Sequence, residues 1–154
     1  MKKRPKRPFR TVVLAALVVS ALFLFRFWRY LRDPSLVLVT GYCNCGECCG
    51  WEFDEKSGKP VYAYGKFKGK PKKVGITASG TTARHGTVAA DLSVFSFGTC
   101  LEIPGYGIGR VEDVGGAIRR RHIDVWFPTH EEARRWGRRR LKVVPISRSE
   151  RNSH

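Results

Sequence analysis

Acidic residues are scarce in this sequence. Asp and Glu together number 13 against 29 Lys and Arg, which gives a formal net charge of +16 at pH 7. Such an excess of positive charge suits a polyanionic neighbour, and nucleic acid, anionic lipid and an anionic cell wall all qualify. The sequence also lacks a helix-turn-helix or RNA-binding signature, and this absence argues against nucleic acid as the partner.

Length and composition indicate how many domains the chain has and whether it folds. No internal repeat is evident, and 154 residues leave room for one folded domain with additions. Hydrophobic residues make up 42% of the chain and aromatic residues 12%. This content is enough for a buried core and too high for a disordered chain.

One hydrophobic run stands near the N-terminus. Residues 11–25 carry no charge, and the run is slightly shorter than the roughly 20 residues of an ideal membrane span. Six basic residues precede the run and outnumber Arg26, Arg29 and Arg32 after it. This asymmetry predicts an N-terminus inside the cell and an exported remainder.

A cleaved signal peptide is the competing interpretation, because residues 19–21 (VSA) resemble a cleavage site. Cleavage there would leave a strongly apolar new terminus, so we favour an uncleaved signal anchor. The chain then divides into a basic cytoplasmic tail over residues 1–10, a transmembrane anchor over residues 11–30 and a domain outside the cytoplasm. Export also removes the domain from nucleic acid.

The cysteines are concentrated in one short segment. Four of the five, Cys43, Cys45, Cys48 and Cys49, lie within seven positions, and the fifth is Cys100. An oxidising exported compartment favours disulfides, which we therefore predict. The Cys-x-x-Cys spacing also fits a tetrahedral zinc or iron–sulfur site built from the four clustered cysteines, and free thiols are the third alternative. We expect no cofactor.

Composition marks the limits of the exported part. Residues 31–35 read as a linker, and a β-rich stretch from Leu36 opens a folded domain over residues 36–147. Residues 51–73 form a basic insertion loop, either a solvated surface or a glycan-contacting segment. Residues 148–154 are a polar tail.

Local patterns predict a mainly β domain with about six short strands and one helix, which fits a small barrel. Thr129 with Glu132 three positions later is a capping-box pattern, and it predicts a helix running to about Arg139. The predicted strands outside the central stretch are residues 36–42, 87–91, 100–103 and 141–146.

The central stretch, residues 111–127, is predicted as a hairpin whose strands, 111–114 and 122–127, are joined by a glycine-containing turn. The second strand alternates: Ile123, Val125 and Phe127 share one face, and His122, Asp124 and Trp126 share the other. A face with an imidazole, a carboxylate and an indole suits a groove that holds a sugar.

Two carboxylates belong to this predicted hairpin. Asp113 closes the first strand and Asp124 lies inside the second, so pairing of the strands would bring them together. The alternative is that Asp113 merely serves the turn and Asp124 is an ordinary solvated strand residue.

Six segments, in their order and spacing, resemble the 3D domain, a family named for three aspartates and related to the C-terminal part of murein lytic transglycosylase A. The segments are 40–42 (TGY), 77–80 (TASG), 86–91 (GTVAAD), 97–99 (FGT), 112–118 (EDVGGAI) and 123–125 (IDV). The resemblance implies a six-stranded double-psi β-barrel that acts on peptidoglycan in a bacterial cell envelope. It identifies the three aspartates as Asp91, Asp113 and Asp124.

The resemblance further implies a peptidoglycan lytic transglycosylase with glycan strands as its substrate and the membrane as its attachment. Asp124 is the implied general acid/base, with Asp113 as its catalytic partner. Residues with an implied substrate-binding or structural role are Asp91, Trp126, His122, Thr77 and Ser79. The alternative is a wall-binding module without catalysis, because expansin-like proteins share this type of barrel.

Two positions depart from the family pattern. Arg120 stands where family members usually have a glycine, and Leu92 stands where a proline is common. We expect Arg120 to alter the loop before the last aspartate or its affinity for an anionic wall.

Overall fold

The computed structural model describes residues 9–31 and 36–146, with side chains described for 13–29 and 36–146. The chain divides into two compact units, one ending at Pro34 and the other beginning at Ser35. The predicted tail 148–154 and most of the predicted linker lie outside the described residues. The bounds of the predicted domains therefore stay predictions.

The first unit contains helix α1, Phe9–Leu31. Large apolar side chains on this helix are exposed, for example Leu14 at 64% and Phe23 at 70%. Among the residues whose side chains are described, no helix has both the length and the apolar character needed to cross a membrane. The transmembrane anchor stays a prediction.

The second unit is mainly β, as predicted. Its elements in chain order are β1 Val37–Tyr42, α2 Gly46–Cys49, β2 Trp51–Phe53, β3 Pro60–Tyr62, β4 Thr87–Ala90, β5 Cys100–Ile103, β6 Gly107–Asp113, β7 His122–Trp126, α3 His130–Trp136, β8 Arg139–Leu141 and β9 Val144–Ile146.

Seven of these strands form one sheet in the order β8-β1-β7-β4-β6-β5-β9. The pairs β1 with β7 and β4 with β6 are parallel, while β4 and β7 are antiparallel. The sheet thus has seven strands in place of the six predicted. Its outermost strands, β8 and β9, are joined by only two residues.

The predicted central hairpin is wrong. Strands β6 and β7 both exist, but β4 lies between them and pairs with each. The sequence between β6 and β7 therefore crosses a strand instead of turning tightly. All four residues of β4 are buried, as expected for a strand at the centre of a sheet.

The core is built from alternating side chains of the central strands. Val37 and Val39 of β1 and Ile123 and Val125 of β7 are fully buried. Their neighbours on the opposite face of each strand are partly exposed. This period-two burial confirms the alternation predicted for β7.

The predicted helix is confirmed at its start and wrong at its end. The Thr129 hydroxyl accepts a hydrogen bond from the Glu132 amide, as the capping pattern predicted. The helix ends at Trp136 and not near Arg139, because Gly137 follows with a φ of 69°. The predicted strand over residues 141–146 is divided into β8 and β9.

The basic insertion, residues 51–73, is more ordered than the predicted loop. Strands β2 and β3 form an antiparallel pair in a sheet of their own. The ammonium group of Lys72 lies 4.4 Å from the ring centre of Tyr62, and that of Lys66 lies 4.9 Å from that of Phe67. The lysines therefore stand on aromatic faces that also fix their positions.

Arg120, which stands where family members usually have a glycine, has a strained backbone conformation. Its φ of 56° makes it the sole non-glycine residue with positive φ among the described residues. We expect Arg120→Gly to raise the free energy of unfolding by up to about 1 kcal/mol, because glycine adopts this conformation without steric penalty. Denaturant unfolding measures the change. Exposed Arg119, which has no positive φ, supplies the control: Arg119→Gly should lower stability, and equal losses in both variants would contradict the explanation.

Candidate active site

Two of the predicted site residues, Asp113 and Asp124, lie in one row across the sheet. Thr40 of β1 is in register with Asp124 of β7, and Asp124 is in register with Ala89 of β4. Ala89 is in turn in register with Asp113 of β6. The two aspartates therefore flank a small residue on the strand between them, and this placement replaces the predicted contact within a hairpin.

An irregularity in strand pairing places Asp113 in this row. Val88 pairs with Val111, but the next residue, Ala89, pairs with Asp113. Glu112 is the extra residue of this bulge, and it is buried with its carboxylate accepting a hydrogen bond from the Thr87 hydroxyl at 3.1 Å. Bulges re-aim side chains beside functional sites. Because of this bulge, Glu112 is buried and Asp113 lies in the row beside Ala89.

Asp124 has the environment of a proton donor. Its Oδ1 accepts a hydrogen bond from the Thr40 hydroxyl at 2.9 Å. Burial raises the pKa of Asp124 to about 6, with the Thr40 bond opposing and the charge of Asp113 adding to the rise. A carboxyl group in this range holds a proton in mildly acidic conditions and releases it near neutrality.

Asp113 is fixed by three donors. Its Oδ1 accepts from the Ala78 and Val114 amides, both at 2.9 Å, and its Oδ2 accepts from the Tyr42 hydroxyl at 3.2 Å. Burial, followed by the charge of Asp113, raises the pKa of Tyr42 well above its ordinary value. Tyr42 therefore stays a hydrogen-bond donor to Asp113, which suits a positioning or charge-stabilising carboxylate.

Thr77 and Ser79 support the loop that reaches Asp113. Thr77 is buried, and its hydroxyl oxygen lies 2.8 Å from that of Thr81. The Ser79 amide donates to the carbonyl of Glu112 at 3.0 Å. These bonds hold the loop against β6, so that the intervening Ala78 presents its amide to Asp113.

Asp91 lies apart from the row and fastens a different loop. Its carboxylate accepts from the Ser93 amide and hydroxyl and, at 2.6 Å, from the Arg120 amide. The Arg120 bond, then those of Ser93, lower the pKa of Asp91 to about 2. This aspartate secures the segment that leads into β7.

His122 and Trp126 accompany Asp124 on β7. The Nε2 of His122 lies 2.8 Å from the Thr40 hydroxyl, which links the imidazole to the Asp124 carboxylate. Burial lowers the pKa of His122. The Trp126 indole donates to the Asn44 side-chain carbonyl at 2.9 Å. Thr40 and Asn44 were missed as site residues, although Thr40 belongs to a segment that carries the family resemblance.

The cysteine segment has no disulfide among the described residues, so the disulfide prediction is wrong for this structure. The Sγ atoms of Cys43 and Cys48 are 3.8 Å apart, whereas a disulfide requires about 2.05 Å. His130 joins the cluster: its Nδ1 lies 3.4 Å from the Sγ atoms of Cys45 and Cys48. Cys49, a ligand in the predicted metal alternative, instead directs its thiol to the Cys43 carbonyl.

A model of a known family matches part of the chain. A model of the 3D domain matches residues 86–147, which include Asp91, Asp113 and Asp124. The match confirms the resemblance drawn from the sequence segments. The matched residues contain every strand of the seven-stranded sheet except β1.

Two proteins of Bacillus subtilis (strain 168) are similar in sequence to part of this chain. The chain is 34% identical over 73 residues to "Putative cell wall shaping protein YabE", a match covering 45% of this chain and 18% of that protein. It is 33% identical over 77 residues to "Cell wall-binding protein YocH", covering 47% of this chain and 27% of that protein. The chain thus spans a small part of the length of these relatives.

A solved structure with some similarity is titled "Crystal structure of MltA from E. coli". The TM-score is 0.38 and the identity 24%, covering 51% of this chain and 29% of that chain.

The raised pKa of Asp124 has a consequence for stability. The folded pKa of about 6 exceeds the unfolded value of about 3.9, so ionisation of Asp124 destabilises the folded state as pH rises through that interval. We expect Asp124→Asn to be more stable than the wild type at pH 7, by on the order of 2 kcal/mol, with the difference vanishing below about pH 4. Denaturant unfolding across this pH range measures it.

Asp91→Asn is the matched control for that measurement. The pKa of Asp91 is lowered to about 2, so its contribution to stability is present above the unfolded pKa and lost as pH falls through the folded one. This variant should be less stable than the wild type at pH 7. The same sign of change in both variants would contradict the assignments.

Proposed function

We propose that this protein is a peptidoglycan lytic transglycosylase, cleaving the MurNAc–GlcNAc β-1,4 bond to leave 1,6-anhydro-MurNAc ends. The observation that carries the proposal is Asp124, a largely buried carboxyl group with a pKa raised to about 6 in a row with a second aspartate. The match to the 3D domain and the cell-wall names of two relatives support peptidoglycan as the substrate.

The reaction needs one carboxyl group that acts twice. Protonated Asp124 donates its proton to the glycosidic oxygen as the bond from that oxygen to C1 of MurNAc breaks. The resulting carboxylate then accepts the proton of the MurNAc C6 hydroxyl, and the C6 oxygen forms the new bond to C1. No water is consumed, and Asp124 ends the cycle protonated.

Asp113 supplies charge in this scheme. It lies two strands away from Asp124, which puts the two Cα atoms about 10 Å apart. Its carboxylate is held by two amides and the Tyr42 hydroxyl, so it is positioned to orient sugar hydroxyls or to stabilise the positive charge that develops at C1. In an ordinary glycosidase the second carboxylate activates water or attacks C1 itself.

The proposal includes the setting of the domain. An uncleaved anchor over residues 11–30 would hold the domain outside the cytoplasm beside the wall. We also propose that the seven-stranded sheet closes on itself as a double-psi barrel. The two residues that join edge strands β8 and β9 support closure, since they span at most about 11 Å.

A wall-binding module without catalysis is the second candidate. It is favoured by the relative named "Cell wall-binding protein YocH" and by the net charge of +16. The exposed lysines and aromatic rings of residues 51–73 suit contact with an anionic glycan. Binding by this surface does not need the proton of Asp124, so the two candidates respond differently to one substitution.

Asp124→Asn tests the proposal. The full-length protein, incubated with purified sacculi, should release muropeptides with 1,6-anhydro-MurNAc ends, recognised in mass spectrometry because they are one water lighter than hydrolytic products. The variant cannot transfer a proton, so the rate should fall by about 10²–10⁴. Glu102→Gln, an exposed carboxyl on β5 outside the row, should keep the wild-type rate.

The products decide among the candidates. Reducing ends would identify a hydrolase, with Asp113 or Asp91 as the candidate second carboxylate, and would exclude a transglycosylase. Absence of cleavage, with sacculus binding equal in the wild type and Asp124→Asn, would establish the wall-binding module. Asp113→Asn should also slow turnover through loss of orientation or charge.

The pH dependence of turnover provides a separate test. The free enzyme is active with Asp124 protonated, so kcat/KM should fall as pH rises through about 6. Release of anhydro-muropeptides measured at substrate concentrations below KM gives this profile. A rate that increases through the same interval would mean that Asp124 begins the reaction as a base.

A further inference from the structure

Four side chains converge beside the candidate active site without a part in the proposed reaction. They are Cys43, Cys45, Cys48 and His130, and one ligand atom from each lies within 4.8 Å of all the others. Cys43 follows strand β1, Cys45 directly precedes α2, Cys48 lies within α2, and His130 is the first residue of α3. The fold therefore assembles the group from two distant parts of the chain.

Three distances within the cluster are close to those of a tetrahedral zinc centre. Zinc lies about 2.3 Å from sulfur and about 2.0–2.1 Å from nitrogen. In a tetrahedron these bonds place two sulfur atoms about 3.8 Å apart, and sulfur and nitrogen about 3.6 Å apart. The structure has 3.8 Å between the Cys43 and Cys48 sulfurs and 3.4 Å from His130 Nδ1 to the sulfurs of Cys45 and Cys48.

We propose that Cys43, Cys45, Cys48 and Nδ1 of His130 bind one zinc ion. Three sulfurs and one imidazole nitrogen complete a four-coordinate shell, which leaves no position for substrate and marks a structural centre. This inference does not depend on the proposed transglycosylase activity.

Groups around the cluster suit such a centre. The Nε2 of His130 lies 3.4 Å from a carboxylate oxygen of Glu47, so that the carboxylate orients the ring with Nδ1 toward the sulfurs. Backbone amides donate to two sulfurs: Cys45 N–H to Cys43 Sγ at 3.5 Å, and Cys48 N–H to Cys45 Sγ at 3.4 Å. Amide donors stabilise sulfur in the thiolate form that binds metal.

Cys49 lies in the same segment but does not belong to the cluster. Its thiol donates to the Cys43 carbonyl at 3.1 Å, and Cys49 is not a member of the four-residue group. The arrangement thus selects three of the four clustered cysteines and takes its fourth ligand from α3. It differs from the all-cysteine metal site that the sequence suggested.

A metal at this position would fix one side of the candidate active site. Asn44 lies between two of the ligands, and it accepts hydrogen bonds from Trp126 through its side chain and from Trp51 through its backbone carbonyl. Tyr42, which holds Asp113, directly precedes Cys43. Zinc binding would therefore hold both the basic insertion and the Asp113 support in place.

Metal content of the full-length protein tests the inference. Protein purified under reducing conditions and equilibrated with zinc should retain about one zinc ion per chain after dialysis, measured by mass spectrometry of the metal. Cys45→Ser and His130→Gln should each reduce retained zinc at least about tenfold. Cys49→Ser is the matched control and should keep the full content, since serine can also donate to the Cys43 carbonyl.

Cobalt gives a readout on the unmodified chain. The wild type loaded with cobalt in place of zinc should show the intense visible bands of tetrahedral cobalt and the sulfur-to-cobalt band of thiolate ligation, so the result does not depend on whether a variant folds. Wild-type protein that retains no zinc and gives no thiolate–cobalt band would overturn the proposal. Zinc lost in Cys49→Ser and retained in both ligand variants would overturn it equally. Neither measurement depends on cleavage of peptidoglycan.

Discussion

The pairing of β4 with both β6 and β7 is the constraint on which the candidate site depends. It sets Ala89 between Asp113 and Asp124, and the bulge at Glu112 decides which acidic residue of β6 enters the row. Burial within this sheet, with the charge of Asp113, then moves the pKa of Asp124 to about 6. The chemistry proposed for Asp124 is thus a consequence of strand order.

Local signals predicted the elements better than their arrangement. The alternation of β7 and the capping residue of α3 each depend on a few neighbouring residues, and both predictions were confirmed. The hairpin was wrong because a glycine-containing turn between two strands does not exclude a third strand from the gap. The metal-type cluster could not be predicted in full, since nothing near Cys45 in the sequence points to His130, 85 positions away.

The three aspartates that define the family resemblance lie in different environments. Asp113 and Asp124 share a row and the charge of Asp113 raises the pKa of Asp124, whereas Asp91 accepts hydrogen bonds from Ser93 and Arg120 in a neighbouring loop. Motif spacing treats the three alike, because it records position and not environment. The pKa shifts distinguish Asp124 from Asp91: burial raises the pKa of Asp124, and hydrogen bonding lowers that of Asp91.

The row across the sheet also sets when the site comes into existence. Thr40 and Asp124 touch although 84 positions separate them. Closing a contact over so long a stretch loses more chain entropy than forming a local turn, and folds rich in such contacts form slowly. The candidate site is therefore assembled only once β7 has paired with β1 and β4, although both aspartates are already present in the unfolded chain.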